Sequence, residues 1–362
     1  MWPDTRLLDL FGIEVPIVQA PMAAATGVEM AVAVAKAGGL GSLPCAMLAA
    51  DKIRSGVTEI RSHTDRPINL NFFCHVAPDS DVARERAWLK CLAPYYAELG
   101  AAPPALPLNA GLVPFGEDTC SLVEELRPEV TSFHFGLPAL DLLQRVKAAG
   151  CRVLSSATSV REARWLYENG ADVVIAQGAE AGGHRGMFIE TDVDTQIGTF
   201  ALVPQIVDAV PVPVIAAGGI ADARGVAAAF ALGAAGVQIG TAYLRAPEAH
   251  ISELHRAALK KPEPATVITN VLTGRPARAI LNRFIKEQGP IASEAPAFPL
   301  ATQDSLPLRT KAEAKGSADF SSFWSGEARA LGRDMNAEDL TRAIAEESLA
   351  RLRSLTQVSG KR

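Results

Sequence analysis

The chain lacks the common signatures of metal and disulfide proteins. Its five cysteines, Cys45, Cys74, Cys91, Cys120 and Cys151, form no CxxC pair. Their odd count and wide spacing favour free thiols in a reducing compartment. HExxH and HxxxH are absent, so no local pattern offers a metal-ligand set and no metal is expected. Also missing is an excess of positive charge. The formal net charge is -5, which gives no bulk attraction to nucleic acid. No stretch approaches the roughly 18 uninterrupted apolar residues of a membrane span. The opening residues, MWPDTRLLDLFG, carry acids and do not read as a signal peptide. A cytoplasmic setting is expected, without membrane or nucleic-acid partners; the sequence admits a homodimer. GxGxxG after an early strand, GxxxxGK[ST] and GxSxG are absent too. These absences disfavour a Rossmann cofactor site, a P-loop and an α/β-hydrolase.

What is present is an ordinary globular composition, 48% hydrophobic and 21% charged over 362 residues. That length suits one α/β barrel of about 250 residues with a smaller appendage. Short apolar runs recur at 16–22, 39–44, 67–73, 131–136, 152–157, 172–178, 211–219 and 236–241. They are mostly apolar rather than alternating, as expected of parallel strands covered by helices. Helical stretches separate them and end on glycine, as at Gly150, Gly170 and Gly233, with Asp222 placed as an N-cap. Eight such units predict a (β/α)8 TIM barrel. A helix is expected over about 81–99, then a proline-rich excursion at 103–114. The barrel is assigned to 1–243 and a smaller, mainly helical substrate or lid domain to 244–325. The latter carries a long loop, IASEAPAFPLATQDSLPLRT. Residues 326–362 supply a C-terminal helix that packs back on the barrel, with the tail QVSGKR fraying.

Barrel chemistry gathers at the C-terminal ends of the strands. Asn71, His134, Ser156 and Gln177 fall there, followed by Gly218 with Gly219 and Gly240 with Thr241. Glycine lets backbone amides approach an anion, and a following helix N-terminus adds oriented N–H groups. Two such pairs after the last two strands point to a phosphate site. A further stretch, AQGAEAGGHRG at 176–186, sets four glycines around Glu180, His184 and Arg185. Its glycines suggest a loop that approaches a ligand.

The whole chain resembles the nitronate monooxygenases, formerly called 2-nitropropane dioxygenases, and the bacterial class I type in particular. The segments QAPMA, NLNFF, SFHFGLP, AQGAEAGGHRG, LVPQIVDAV, PVIAAGGIADARG, LGAAGVQIGTAYL and TGRPAR carry the resemblance, in that order. It implies an FMN enzyme with a helical substrate domain over the strand ends. Such enzymes oxidise alkyl nitronates, notably propionate 3-nitronate, with dioxygen, giving a carbonyl compound and nitrite without nicotinamide. The resemblance implies Met22 beside the isoalloxazine, Asn71 at its polar edge, Gln177 facing it, and Gly182 and Gly183 nearby. Gly218, Gly219, Gly240 and Thr241 would hold the phosphate. Asn71 is preferred to Asn69, which is expected to face the other way. His184, with His134 as a second candidate, would orient a nitronate or take a proton from a neutral nitroalkane. His63 and His75 have weaker cases. Glu180 and Arg185 are expected to pair, Arg275 either supports the site or caps a helix, and Phe298 is the aromatic group offered to the pocket. The competing reading is an FMN-dependent NAD(P)H:quinone or enoyl-thioester reductase.

Overall fold

The computed structural model describes residues 1–79, 81–109 and 111–357. Residues 358–362, most of the tail expected to fray, lie outside it. Eight parallel strands form the central sheet: β1 (Ile17–Gln19), β2 (Gly41–Pro44), β3 (Ile68–Phe73), β4 (Val130–His134), β5 (Arg152–Ala157), β6 (Val173–Gln177), β8 (Val214–Ala217) and β9 (Gly236–Ile239). Each pairs with its neighbour in sequence order, β6 with β8 and β9 with β1. A parallel bridge between Val18 and Leu40 links β1 to the residue that enters β2 and closes the circle. The predicted (β/α)8 barrel is therefore present.

The intervening helices are specified by local chemistry. In α7 (Val160–Glu168) the Ser159 side chain accepts from Glu162 N, while Gly170 takes φ 101° after the helix. In α9 (Ala223–Ala231) Asp222 caps through Arg224 N. The C-terminal helix α13 (Ala337–Gln357) buries Leu340, Ile344 and Ala345 in the same apolar cluster as Met30 and Val34 of α2 (Val28–Lys36). Among the described residues, no helix is long and apolar enough to cross a membrane.

Over the strand ends sits a second body. It contains α11 (Arg283–Gln288) and α12 (Ala301–Ala314), together with a three-stranded antiparallel sheet, while α10 (Glu253–Leu259) packs its Leu259 into the barrel cluster. That sheet is made of β10 (Thr266–Thr269), β11 (Ala277–Ile280) and the two-residue β7 (Gly183–His184). Two details differ from expectation. The region carries strands as well as helices, and the second half of the expected loop is α12, with Pro307 inside it. Proline ordinarily interrupts a helix, but α12 is held by packing. Its Leu308 joins Phe284, Phe320 and the Trp88, Leu92, Tyr95 and Tyr96 face of α4 (Val82–Leu99) in one buried cluster. The helix expected at about 81–99 thus builds the wall of the appended body.

Candidate active site

Because the barrel strands are parallel, their C-terminal ends open at one mouth. A polar ring fills the barrel just beneath it. Gln19 Oε1 accepts from Ser42 N at 2.8 Å, and Ser42 Oγ donates to Gln19 O at 2.6 Å. Asn69 Nδ2 donates to Ser42 Oγ at 3.0 Å, and Asn71 Nδ2 to Ser132 Oγ at 3.0 Å. Asn69 and Asn71 were expected on opposite faces, which is incorrect. Strand residues two apart share a face, and the two amides reach opposite neighbouring strands from it. Asn71 is the one nearer the mouth.

The loop after β6 is folded by its own side chains. The Gln177 amide donates to His184 O at 3.0 Å, and its Oε1 accepts from Gly186 N at 2.7 Å. The fully buried Arg185 turns inward, donating to Gln177 O at 2.7 Å and Gln196 Oε1 at 2.9 Å. The expected Glu180–Arg185 ion pair does not form. Glu180 instead accepts from Thr199 N at 2.8 Å and from Thr199 Oγ1 at 2.8 Å, at the start of α8 (Thr199–Ala209). A carboxylate is stabilised by free N–H groups at a helix N-terminus, so this helix competes successfully for Glu180. Burial lowers the Arg185 pKa to about 9.

His184 then pairs through its backbone with Ala277 of β11. Its Nε2 lies 2.9 Å from Thr273 Oγ1. Its ring meets Phe298, Trp324 and Phe135 at centroid distances of 5.1, 5.3 and 6.1 Å. His134 lies below: its Nε2 is 3.2 Å from His184 O and its Nδ1 3.1 Å from Ser156 Oγ. A carbonyl only accepts, so Nε2 of His134 carries the proton and Nδ1 accepts from the Ser156 hydroxyl. Both ring nitrogens of His134 are therefore committed. Burial pulls the pKa of each histidine down to about 3. The neighbouring His134 and the Arg275 guanidinium depress His184 further. Both rings are neutral near pH 7.

Two aromatic groups and a histidine complete the surroundings. His75 is buried, 5.2 Å edge-on from Phe298. Phe135 adopts φ 72°, an uncommon and strained backbone for a bulky residue, so its position is imposed by its surroundings. Arg275 caps no helix: its guanidinium lies 4.0 Å over the Phe135 ring and donates to Met187 O. Residue position after a strand end could have promoted His75. Thr273 opens the TGRPAR segment but was not singled out, and Trp324 carried no local signal; both reach His184 from far along the chain.

Elsewhere at the mouth, Gly218 and Gly219 take φ 108° and 71°, backbone that favours glycine. They lead into α9. Gly240 lies beside Met22: a Cβ there would stand 3.6 Å from Met22 Sδ and 3.5 Å from Ala20 Cβ, occupying the space between the ends of β9 and β1. Thr241 Oγ1 accepts from Gly326 N at 2.9 Å, which leaves the hydroxyl proton to donate. Gly182 packs against the Ser325–Gly326 backbone, and Gly183 opens onto free space. The two phosphate candidates, Gly218–Gly219 and Gly240–Thr241, therefore follow the adjacent strands β8 and β9. Among the described residues, no group of three or more metal-ligating side chains gathers.

A family model described as nitronate monooxygenase matches residues 4–347. The chain is similar to the nitronate monooxygenase of Pseudomonas aeruginosa, at 44% identity over 346 residues, covering 94% of this chain and 98% of the relative. It is also similar to that of Paraburkholderia phytofirmans, at 41% identity over 355 residues and 97% of both chains. Among solved structures, nitroalkane oxidase from Streptomyces ansochromogenes superposes with a TM-score of 0.87 at 36% identity, covering 97% of this chain and 99% of that one. FabK from Thermotoga maritima matches with a TM-score of 0.74 at 28% identity, over 99% and 100% of the two chains.

Proposed function

The chain belongs to the nitronate monooxygenase family, and we propose that it oxidises alkyl nitronates, with propionate 3-nitronate as the favoured substrate, at the mouth described above. The observation that carries this reading is the neutral His184 ring. It is set in an aromatic enclosure and tied to both the barrel loop and the β10–β11 sheet. The family is one of FMN flavoproteins, and the residues present suit that group. Gly218 and Gly219 offer backbone N–H groups in a positive-φ turn after β8, and Thr241 offers a hydroxyl proton. Gly240 keeps open the space beside Met22 that a side chain would fill. Met22 and Asn71 would border the flavin ring. Gln177, committed to its own loop, would present its remaining amide N–H. Gly182 and Gly183 would keep that loop thin.

When bound, FMN would supply the electron-accepting and dioxygen-handling chemistry. The protein's part is placement and charge. Arg275, a guanidinium without a carboxylate partner among the described ion pairs, gives the enclosure positive potential for a nitronate anion. His184 donates to the anion from Nδ1–H, with its Nε2 accepting from the Thr273 hydroxyl, rather than ionising. A nitronate has already lost its α proton, so it needs no base, and a ring titrating at about 3 is a weak one. His134 acts as a positioning residue, fixing the His184 carbonyl through a defined tautomer. The rings of Phe135, Phe298 and Trp324 exclude water from the site.

Anaerobic rapid mixing of the FMN-loaded protein tests this reading. Propionate 3-nitronate and NADH are offered separately while the absorbance of the oxidised flavin is followed. Rapid bleaching by nitronate and none by NADH is expected. Bleaching by NADH alone would overturn the reading in favour of the competing FMN-dependent reductase.

A further inference from the structure

We infer that Phe298 is the specificity-determining wall of the substrate enclosure and restricts it to short, compact nitronates; this rests on the placement of the substrate head at His184 proposed above. The ring of Phe298 is the common neighbour of the enclosure. Its centroid lies 5.1 Å from His184, 5.2 Å from His75, 5.6 Å from Phe135 and 6.4 Å from Phe73. Only 8% of its surface is exposed. An alkyl tail leaving a head group at His184 must pass this ring or displace it.

The ring has little freedom to recede. Its backbone is seated directly on Gly274, at φ 89°. A Cβ on Gly274 would collide with the Pro296 carbonyl oxygen and stand 2.6 Å from Phe298 N. The glycine of TGRPAR is thus the floor on which the 296–298 segment rests. Thr273 and Arg275, on either side of it, hold His184 and cover Phe135. On the opposite side, β3 contributes Phe73, with His75 just beyond that strand. Aromatic walls of this kind are rigid and close-packed, so added tail methylenes meet strain instead of gaining burial.

Truncation of Phe298 therefore opens room for a longer tail. Each methylene then buried is worth about fourfold in affinity. The test uses FMN-loaded wild type, Phe298→Ala and Phe298→Leu. Calorimetric titration with propionate and hexanoate measures the enclosure directly, because a carboxylate shares the planar, two-oxygen, singly charged head of a nitronate. Wild type is expected to bind hexanoate no better than propionate. In F298A the hexanoate-to-propionate ratio of association constants should rise by about tenfold or more, with F298L between. Oxygen consumption with ethyl and hexyl nitronate should rank the variants in the same order through kcat/KM. An unchanged ratio in both variants overturns the inference, as does failure of either carboxylate to bind any form. A shifted binding ratio in proteins that consume no oxygen with any nitronate would retain the wall and remove the nitronate reading instead. F298L, which keeps an apolar side chain on the same backbone, carries the comparison if F298A does not fold.

Discussion

Asp304 makes the appended body sensitive to pH. It lies on α12, fully buried, and among the described residues neither carboxylate oxygen has a hydrogen-bond partner. The Tyr96 hydroxyl donates at 2.6 Å to the Asp304 backbone carbonyl, not to the carboxylate. Burial first, then the nearby Glu85 carboxylate on α4, raises the Asp304 pKa from 3.8 to about 7. The folded state holds this proton at pH values where the unfolded chain has lost it. The resulting stability is complete below pH 3.8 and disappears as pH rises through about 7. A difference of roughly 3 pKa units corresponds to a ceiling of about 4 kcal/mol, of which about 2 kcal/mol falls between about pH 5.5 and about pH 8. Asp304→Asn keeps the shape and removes the titration. Denaturant unfolding of the FMN-loaded protein at those two pH values, followed by tryptophan fluorescence, measures the effect. Wild type should lose about 2 kcal/mol more than the variant between them. D304N should therefore be the more stable protein, relative to wild type, on the alkaline side. Identical pH dependence in the two proteins would refute the assignment of an uncompensated buried carboxyl at this position.

Other perturbations address the site. His184→Asn should lower kcat/KM for nitronates and neutral nitroalkanes to a similar extent, because a ring held at about 3 orients substrate rather than deprotonating it; a much larger loss with nitroalkanes in steady-state assays would overturn the orienting role in favour of a base. His184 is held at about 3, so it should stay neutral at ordinary assay pH, and an NMR titration of its ring from about pH 5 to about pH 8 should show no protonation step. Thr273→Val removes the partner of His184 Nε2 and should cost about 1 kcal/mol, roughly fivefold in kcat/KM. Thr273→Ser should restore most of that loss, which a purely steric role would not predict. Gly219→Val puts a β-branched residue at φ 71° and should weaken FMN retention, read by flavin release on gel filtration. Retention equal to wild type would move the phosphate elsewhere.

Several of these groups were legible in the sequence because their signals are local. A buried parallel strand is a short apolar run, and its end is marked by glycine or a polar residue within two or three positions. Gly218, Gly219, Gly240 and Gln177 were singled out in that way, and His184 from its glycine-rich loop together with the family resemblance. What surrounds His184 was harder to read. Thr273, Phe298 and Trp324 reach it from about 90 to 140 residues along the chain, where no periodicity connects them. Phe298 was noticed as an aromatic in a loop, but its contacts with His184, His75, Phe135 and Phe73 were not. The Glu180–Arg185 pair followed from proximity in sequence, whereas the N-terminus of α8 offered Glu180 two donors on one residue. The error over Asn69 came from ignoring the two-residue period that makes both asparagines line the same face.

The two-residue strand β7 has a practical consequence for protein engineering. His184 emerges from the barrel, yet it is stitched into the antiparallel ribbon headed by β10 and β11. Arg278 reinforces the seam from the other side, through Ala179 O at 2.7 Å and Glu327 at 2.9 Å. A chimera cut only near residue 244 would graft a foreign ribbon against a native histidine and break the register of both. The transplantable unit is discontinuous: the turn after β6 must travel with the ribbon, while the glycines after β8 and β9 remain with the recipient. Recombination between relatives should respect that boundary if it is to exchange substrate preference without losing the cofactor.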